Sequence, residues 1–416
     1  MFFLTLLAFA VLCAVLMITF KVYFREEEVK IMCSDTKFNK FILENCPSLK
    51  IYDRIPIWGL NGHLQTCYAS AIRKGPTHLW KRECLENSDG EDFWIDWLNS
   101  KPRTNAIICV IPGIAGHSGN DYIKNFAHFC QLEGYQVVCW NWPGCGDHVL
   151  SHARMTTLGD AKHLKVMFDH VFKKYPDVPI YAVGFSLGAN MLLKYLGQEG
   201  KNAIVKAAVS ISAGYCGERG LNLIRKRTFY SKVLAGKWKV VIKKHEHLWK
   251  NHPAIDYSKI QKASSLEQID LLLSTKILNY NTIEEYYAAH GSLEWLEHIK
   301  IPTLLLNALD DPIAHSQLVE AAKGKIGLNP NIILATTKKG GHMGWVQGGF
   351  FRPELKMWMD SVSLDFIRAA QKLQMTERGS ETGLKCRGSL NKYSENNPFM
   401  KERDGFVAGT TMLERD

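Results

Sequence analysis

The chain lacks any C-x-x-C pair or dense cysteine block; its 11 cysteines are scattered along 416 residues. A zinc ribbon and a disulfide scaffold are therefore not indicated, and scattered thiols suit a reducing compartment. No N-x-S/T sequon occurs, so nothing marks a glycosylated lumenal domain. There is no P-loop, and no G-x-G-x-x-G stands at a strand–helix junction, so no motif calls for a nucleotide. Internal repeats and strict low complexity are absent. Charged residues are 22% against 46% hydrophobic, which excludes a wholly disordered, a collagen-like or a polytopic membrane chain.

What is present begins with one apolar segment. Phe2 to Phe20 is interrupted only by Thr5 and Thr19. At the helical rise this stretch covers about 28 Å, enough for a hydrocarbon core. Lys21, Tyr23 and Arg25 follow and suit a membrane interface. The run is long for a signal-peptide core, no side-chain charge precedes it, and no clear cleavage site follows. Residues 1–24 are therefore expected to be a retained single-pass anchor. Lys21, Arg25 and Lys30 favour a cytosolic C-terminal side. An endoplasmic reticulum or other endomembrane location is expected, although the terminus Met412-Leu-Glu-Arg-Asp416 carries no retention signal.

From about residue 106 the pattern becomes regular. Apolar runs at 106–111, 135–140, 179–184, 207–212, 302–307 and 331–336 are bounded by Gly, Pro, Asn or charge and read as buried strands. Helix-period stretches at 123–132, 160–173 and 190–196 lie between them. Alternation of this kind predicts an α/β fold, a parallel sheet with helices on both faces. The alternation breaks at about 215–300, a helical stretch carrying Trp238 and Trp249, expected to be a cap inserted over the sheet. Its first half is basic, with Arg225-Lys-Arg227, Lys232, Lys237, Lys239, Lys243, Lys244 and Lys250. Net charge is +10. Beside an N-terminal anchor, such a stretch suits an anionic membrane surface better than nucleic acid. Residues 25–370 are expected to form one domain and 371–416 a flexible polar tail.

Gly184-Phe-Ser186-Leu-Gly188 fits G-x-S-x-G. It follows an apolar strand and leads into the helical Ala189-Asn-Met-Leu-Leu-Lys194, the strand–turn–helix context of a nucleophile elbow. A serine needs a base. The expected chain order is Ser, acid, His, and both partners follow strands. Asn307-Ala-Leu-Asp310-Asp311-Pro312 comes after one, and Gly340-Gly-His342-Met-Gly344 after the other. The acid usually precedes an apolar residue two positions on, which Asp311-Pro312-Ile313 satisfies. Asp311 is the expected acid, with Asp310 beside it on the turn. Two backbone donors for an oxyanion are expected from Leu187 and from Ile114 in Pro112-Gly-Ile-Ala-Gly116. His117-Ser-Gly-Asn-Asp121 has the wrong spacing for an acyltransferase motif, and His245, His247 and His252 read as a solvated helix face rather than a metal site.

These motifs, with Gly62-His-Leu-Gln-Thr66 as the most branch-specific string, resemble the α/β-hydrolases of the YheT-like (AB hydrolase 4) branch. The closer likeness is to its membrane-anchored animal lipase-like members, over about Pro56 to Arg368. The resemblance implies the α/β-hydrolase fold with an eight-stranded, mostly parallel sheet. It implies serine esterase chemistry on membrane lipids such as phospholipids or monoacylglycerols. It puts the nucleophile on Ser186, the acid on Asp311 and the base on His342, with no metal or organic cofactor. One departure is Asn141-Trp-Pro143-Gly144, where the family has Arg in place of Pro143, which puts in doubt any substrate preference the Arg supports. A different reading keeps the fold but leaves the triad idle in a lipid- or steroid-binding receptor-like module. A third passes the acyl group to an acceptor other than water.

Overall fold

A computed structural model describes residues 2–23, 27–53, 55–99, 106–155, 157–158, 160–215, 228–349 and 353–381. The chain divides into a unit of Met1–Ala370 and a second of Gln371–Asp416, of which only the helical residues to Glu381 are described. The expected tail falls largely outside the described residues.

Among the described residues eleven strands form. β1 (Glu27–Glu28) and β3 (Ile51–Tyr52) make a small antiparallel pair. The others are β2 (Lys30–Met32), β4 (Lys81–Glu86), β5 (Asp92–Leu98), β6 (Ile107–Ile111), β7 (Gln136–Trp140), β8 (Ile180–Phe185), β9 (Ala207–Ile211), β10 (Thr303–Ala308) and β11 (Ile332–Thr337). They join in one nine-stranded sheet of order β2-β11-β10-β9-β8-β6-β7-β5-β4. The count is nine where eight were expected. Lys30–Met32 adds a short antiparallel edge on β11, too brief to show as a period in sequence. The run from β11 to β7 is parallel, and β5 and β4 close the far edge antiparallel.

The helices in chain order are α1 (Phe2–Tyr23), α2 (Lys37–Asn45), α3 (Gly62–Cys67), α4 (Asp121–Leu132), α5 (Ala161–Lys174), α6 (Leu187–Glu199), α7 (Thr228–Lys244), α8 (Ile283–His290), α9 (Ser316–Leu328) and α10 (Trp358–Glu381). Four short helices, Glu246–Trp249, Tyr257–Lys262, Leu266–Ile269 and Thr275–Ile277, lie between α7 and α8.

The central strands are buried on both faces, which is why they read as continuous apolar runs. Successive side chains point to opposite faces. Ile107, Cys109 and Ile111 belong to one core with α5 and α6, while Ile108 and Val110 belong to the other with α4. Trp238 and Trp249 are fully buried against the first core and fasten the helices between β9 and β10 to the sheet. Asn190 does the same from α6. Its amide donates to His290 O at 2.9 Å and accepts from Ser292 Oγ at 2.8 Å.

The register brings the strand ends together. Ile111 pairs Gly184, Phe185 pairs Ile211, Leu306 pairs Ile211 and Ala308 pairs Thr337. The loops after β6, β8, β9, β10 and β11 therefore open on one edge, where ligands bind in open α/β sheets.

α1 is 22 residues long, and Phe3, Leu6, Leu7, Phe9, Val11, Leu12, Val15 and Met17 are exposed. The side chains of Phe2, Leu4, Leu16 and residues 18–23 lie outside those described. Among the described residues no helix is long and apolar enough to cross a membrane.

Candidate active site

Ser186 occupies the turn between β8 and α6 with φ 53° and ψ −118°. A positive φ costs a non-glycine residue energy, and such residues cluster at functional sites. Close packing holds the turn. A Cβ on Gly184 would stand 2.6 Å from Ala189 Cα, and one on Gly188 would stand 2.3 Å from Pro112 O. Only glycine fits on either side. The Ser186 N–H donates to Ile211 O at 2.8 Å, so β9 also pins the serine backbone.

His342 lies in the loop after β11 and is buried. Its ring bridges two partners: Nε2 is 2.8 Å from Ser186 Oγ, and Nδ1 is 2.8 Å from Asp311 Oδ2. Asp311, also buried, spends its other oxygen on the loop after β10. Oδ1 accepts from Ile313 N at 2.7 Å and Ala314 N at 2.8 Å. Nδ1 facing a carboxylate carries the proton, which leaves Nε2 to accept from the serine. Asp310 points elsewhere. Its Oδ1 accepts from Gly341 N at 2.9 Å, and burial raises its carboxyl above the ordinary range.

Leu187 is the first residue of α6, so its N–H has no intrahelical acceptor. Gly113 lies close to the serine, where a Cβ would be 3.1 Å from Ser186 Cβ. The Gly113 N–H is occupied, donating to Tyr122 Oη at 2.9 Å. Ile114 follows it and, with Leu187, borders the same cavity as Ser186.

That cavity is about 680 Å³. Its floor holds Ser186 and His342, and α7 and α8 roof it with Val233, Leu234, Val241 and Tyr287. Four non-glycine residues on its wall have positive φ: Ala115 at 53°, Ser186 at 53°, Ser212 at 54° and Met343 at 57°. Burial lowers the pKa of His290, also on the wall, to about 4, so that imidazole is neutral.

Several supporting residues carry no single-residue signal in the sequence. Thr66 Oγ1 accepts from His342 N at 2.8 Å. Gln65 Oε1 accepts from Val346 N at 2.9 Å, and its Nε2 donates to Gly59 O at 2.6 Å. A Cβ on Gly62 would meet Asp310 O at 2.3 Å. The string Gly62-His-Leu-Gln-Thr66 is thus the bed on which both the acid and histidine loops rest. Ser212 Oγ adds an acceptor for Met343 N at 3.2 Å.

The motifs set aside are also explained. His117 belongs to a turn, its N–H donating to Asn120 Oδ1 at 2.7 Å, while Asp121 forms an ion pair with Lys124 at 2.7 Å. His245 departs from the expected solvated face. It is buried, with Nε2 donating to Gly144 O at 3.0 Å and Nδ1 accepting from Leu150 N at 3.4 Å. It ties the end of α7 to the loop after β7. Among the described residues no group of three or more metal-ligating side chains is close enough to hold an ion. Pro143 borders a small void of about 30 Å³ beside Glu91, Arg154 and His163. There Arg154 pairs with Glu91, so a cation stands near the position of the missing family Arg.

A family model described as serine aminopeptidase, S33 (Hydrolase_4), matches residues 102–343. The chain is 31% identical over 356 residues to monoacylglycerol lipase ABHD2 of Mus musculus, covering 80% of this chain and 84% of that one. It is 29% identical over 360 residues to phospholipase ABHD3 of Bos taurus, covering 83% and 84%. Among solved structures, the Pyrococcus furiosus esterase Pf2001 overlaps 65% of this chain and 90% of its own, at 16% identity and a TM-score of 0.44.

Proposed function

The chain belongs to the Hydrolase_4 family of α/β-hydrolases, in the branch that includes the ABHD2 and ABHD3 animal lipases, and on that premise we propose that it hydrolyses carboxylic esters of membrane lipids through Ser186, His342 and Asp311. The observation that carries this reading is the His342 ring, held 2.8 Å from Ser186 Oγ on one side and 2.8 Å from Asp311 Oδ2 on the other, at the floor of a cavity large enough for an acyl chain.

The steps follow from the protons. His342 Nε2 takes the proton of Ser186 as Oγ attacks the ester carbonyl. Asp311 holds the ring in that tautomer and stabilises the imidazolium without taking its proton. The N–H groups of Leu187 and Ile114 receive the oxyanion, aided by the positive N-terminal end of α6. His342 then protonates the leaving alcohol, or lysolipid, and an acyl-serine remains. Water deprotonated by the same Nε2 completes hydrolysis.

In this proposal the apolar N-terminal segment is a single-pass anchor in an endomembrane, and the basic stretch of the cap faces an anionic lipid surface. The support is the composition of α1, most of whose described apolar side chains are exposed. Extraction with alkaline carbonate, for the full chain and for a chain lacking residues 2–23, tests the anchor: only the full chain should stay with the membrane.

The chemistry is tested by labelling with a fluorophosphonate probe in detergent-solubilised membranes. Wild type should label, and Ser186→Ala and His342→Ala should not. A folded wild-type protein that fails to label would turn the assignment toward an idle triad in a lipid-binding module.

A further inference from the structure

The face of α7 over the cavity carries residues at helical spacing: Tyr230, Val233, Leu234, Lys237, Val241 and Lys244. The opposite face, with Trp238 and Ile242, is buried in the core. All but two of the cavity-facing residues suit a hydrocarbon chain. The two lysines do not, and they differ from one another. Lys244 is satisfied by the protein, its Nζ donating to Gly146 O and His148 O, both at 2.8 Å. Lys237 has no hydrogen bond or ion pair among the described residues. The residue is exposed and lines the cavity that holds Ser186. Surrounding protein lowers the ammonium pKa from its ordinary value, and no carboxylate acts to restore it.

An unpaired cation on an otherwise apolar stretch of the cavity wall is a place where an anionic group of a bound molecule can gain a charge-assisted contact. The described acids at the cavity do not serve. Asp121 is committed to Lys124, Lys74 and the Gly75 N–H, and Asp311 to His342 and its own turn.

We infer that Lys237 binds an anionic group of the substrate, so that the preferred ester is a net-anionic lipid, with a phosphate at the head-group end, over a neutral glyceride. The inference rests on the esterase reading above and narrows it. The acyl chain would lie along the valine and leucine side chains, with the ester at Ser186 and the phosphate at the Lys237 ammonium. A flexible point charge such as lysine suits phosphate recognition.

The test uses the full chain in mixed micelles with two esters of one acyl chain, 1-oleoylglycerol and 1-oleoylglycerol 3-phosphate. The readout is the ratio of kcat/KM for the phosphorylated ester to that for the neutral one, in wild type, Lys237→Gln and Lys237→Arg. The inference expects wild type to favour the phosphorylated ester. It expects Lys237→Gln to lower the ratio by about 10- to 100-fold, the scale of a lost charge-assisted hydrogen bond, and Lys237→Arg to retain most of it. An unchanged ratio in Lys237→Gln overturns it, as does a wild type that cleaves only the neutral ester; the esterase reading survives either result. If wild type cleaves neither ester and takes no fluorophosphonate label, the esterase reading fails. The cation site is then judged by titrating the non-hydrolysable ether analogue of the phosphorylated lipid. Weaker binding to Lys237→Gln than to wild type supports it, and equal binding overturns it.

Discussion

The backbone N–H of His342 donates to the hydroxyl of Thr66 at 2.8 Å, joining residues 276 positions apart in the chain. Thr66 Oγ1 in turn donates to Gly62 O at 2.7 Å, so the imidazole loop hangs from the first turn of α3. Thr66→Val keeps the shape and removes the acceptor. A buried N–H left unpaired costs about 1–3 kcal/mol, and the loop has reason to move. A displacement of the base lowers turnover steeply, up to about 100-fold for 1 Å. On a water-soluble aryl ester, Thr66→Val should lose kcat by about tenfold or more with KM little changed, and Thr66→Ser should recover it. A lower melting temperature with normal kcat per labelled serine would make Thr66 structural only.

Gly62 and Gly236 make a paired test of close approach. A Cβ at Gly62 would stand 2.3 Å from Asp310 O, whereas one at Gly236 meets nothing within 4 Å. Gly62→Ala should destabilise by about 1–3 kcal/mol, the range for overpacking, and should slow fluorophosphonate labelling because it pushes on the loop that holds the acid. Gly236 is inside α7, where alanine is the better helix former, so Gly236→Ala should stabilise by up to about 1 kcal/mol. Thermal melts of both variants decide it; equal shifts would overturn the steric account.

The parts legible in sequence are those with a local signature. The strands β6 to β11 are mostly apolar runs, buried along their length because both of their faces are covered, and Ser186, Asp311 and His342 each sit just past one of them in a short patterned turn. The edge strand Lys30–Met32 is too short for any period, and its pairing with β11 is made across the length of the chain. Thr66 and Gln65 could be flagged as part of an unusual string, but their partners, His342 and Val346, are fixed only by tertiary packing. His245 shows the converse. Helical spacing in a basic segment suggests solvent, yet its ring is sequestered by the carbonyl of Gly144.

Asp270 gives the fold a pH dependence. It is buried between the core loop at Thr157 and Tyr287 of α8, and accepts from the Thr157, Ser274 and Tyr287 hydroxyls. Burial raises its pKa to about 7, against the lowering effect of those three donors. The folded value exceeds the unfolded one, near 3.9, so between about pH 4 and pH 7 the native state holds the extra proton. Stability is therefore greatest at the acid end of that window and falls as pH rises to about 7. Asp270→Asn removes the titration while keeping an acceptor. Its melting temperature should change less than that of wild type between pH 5.5 and pH 8, and a parallel pair of curves would sink the assignment.

The ion pair of Arg73 and Asp360 separates stability from chemistry. Both side chains are fully buried, and Arg73 Nη2 lies 2.5 Å from Asp360 Oδ2. Arg73 also donates to Leu355 O at 3.1 and 2.7 Å, and Asp360 Oδ2 accepts from Met357 N at 2.9 Å. The pair is not fully satisfied, since among the described residues Arg73 Nη1 and Asp360 Oδ1 have no partner. Removing one ion leaves the other charged and dry, which costs about 3–5 kcal/mol. Replacing both with apolar side chains removes the desolvation of both. Arg73→Met and Asp360→Leu alone should each lower the unfolding free energy by about that much, and the double variant should lose less than the sum. Neither residue borders the cavity, so each folded variant should keep the wild-type rate of fluorophosphonate labelling per folded molecule. A strictly additive double variant would mean that the two charges are not coupled. A slowed label in the folded variants would mean that this end of the fold bears on Ser186 after all.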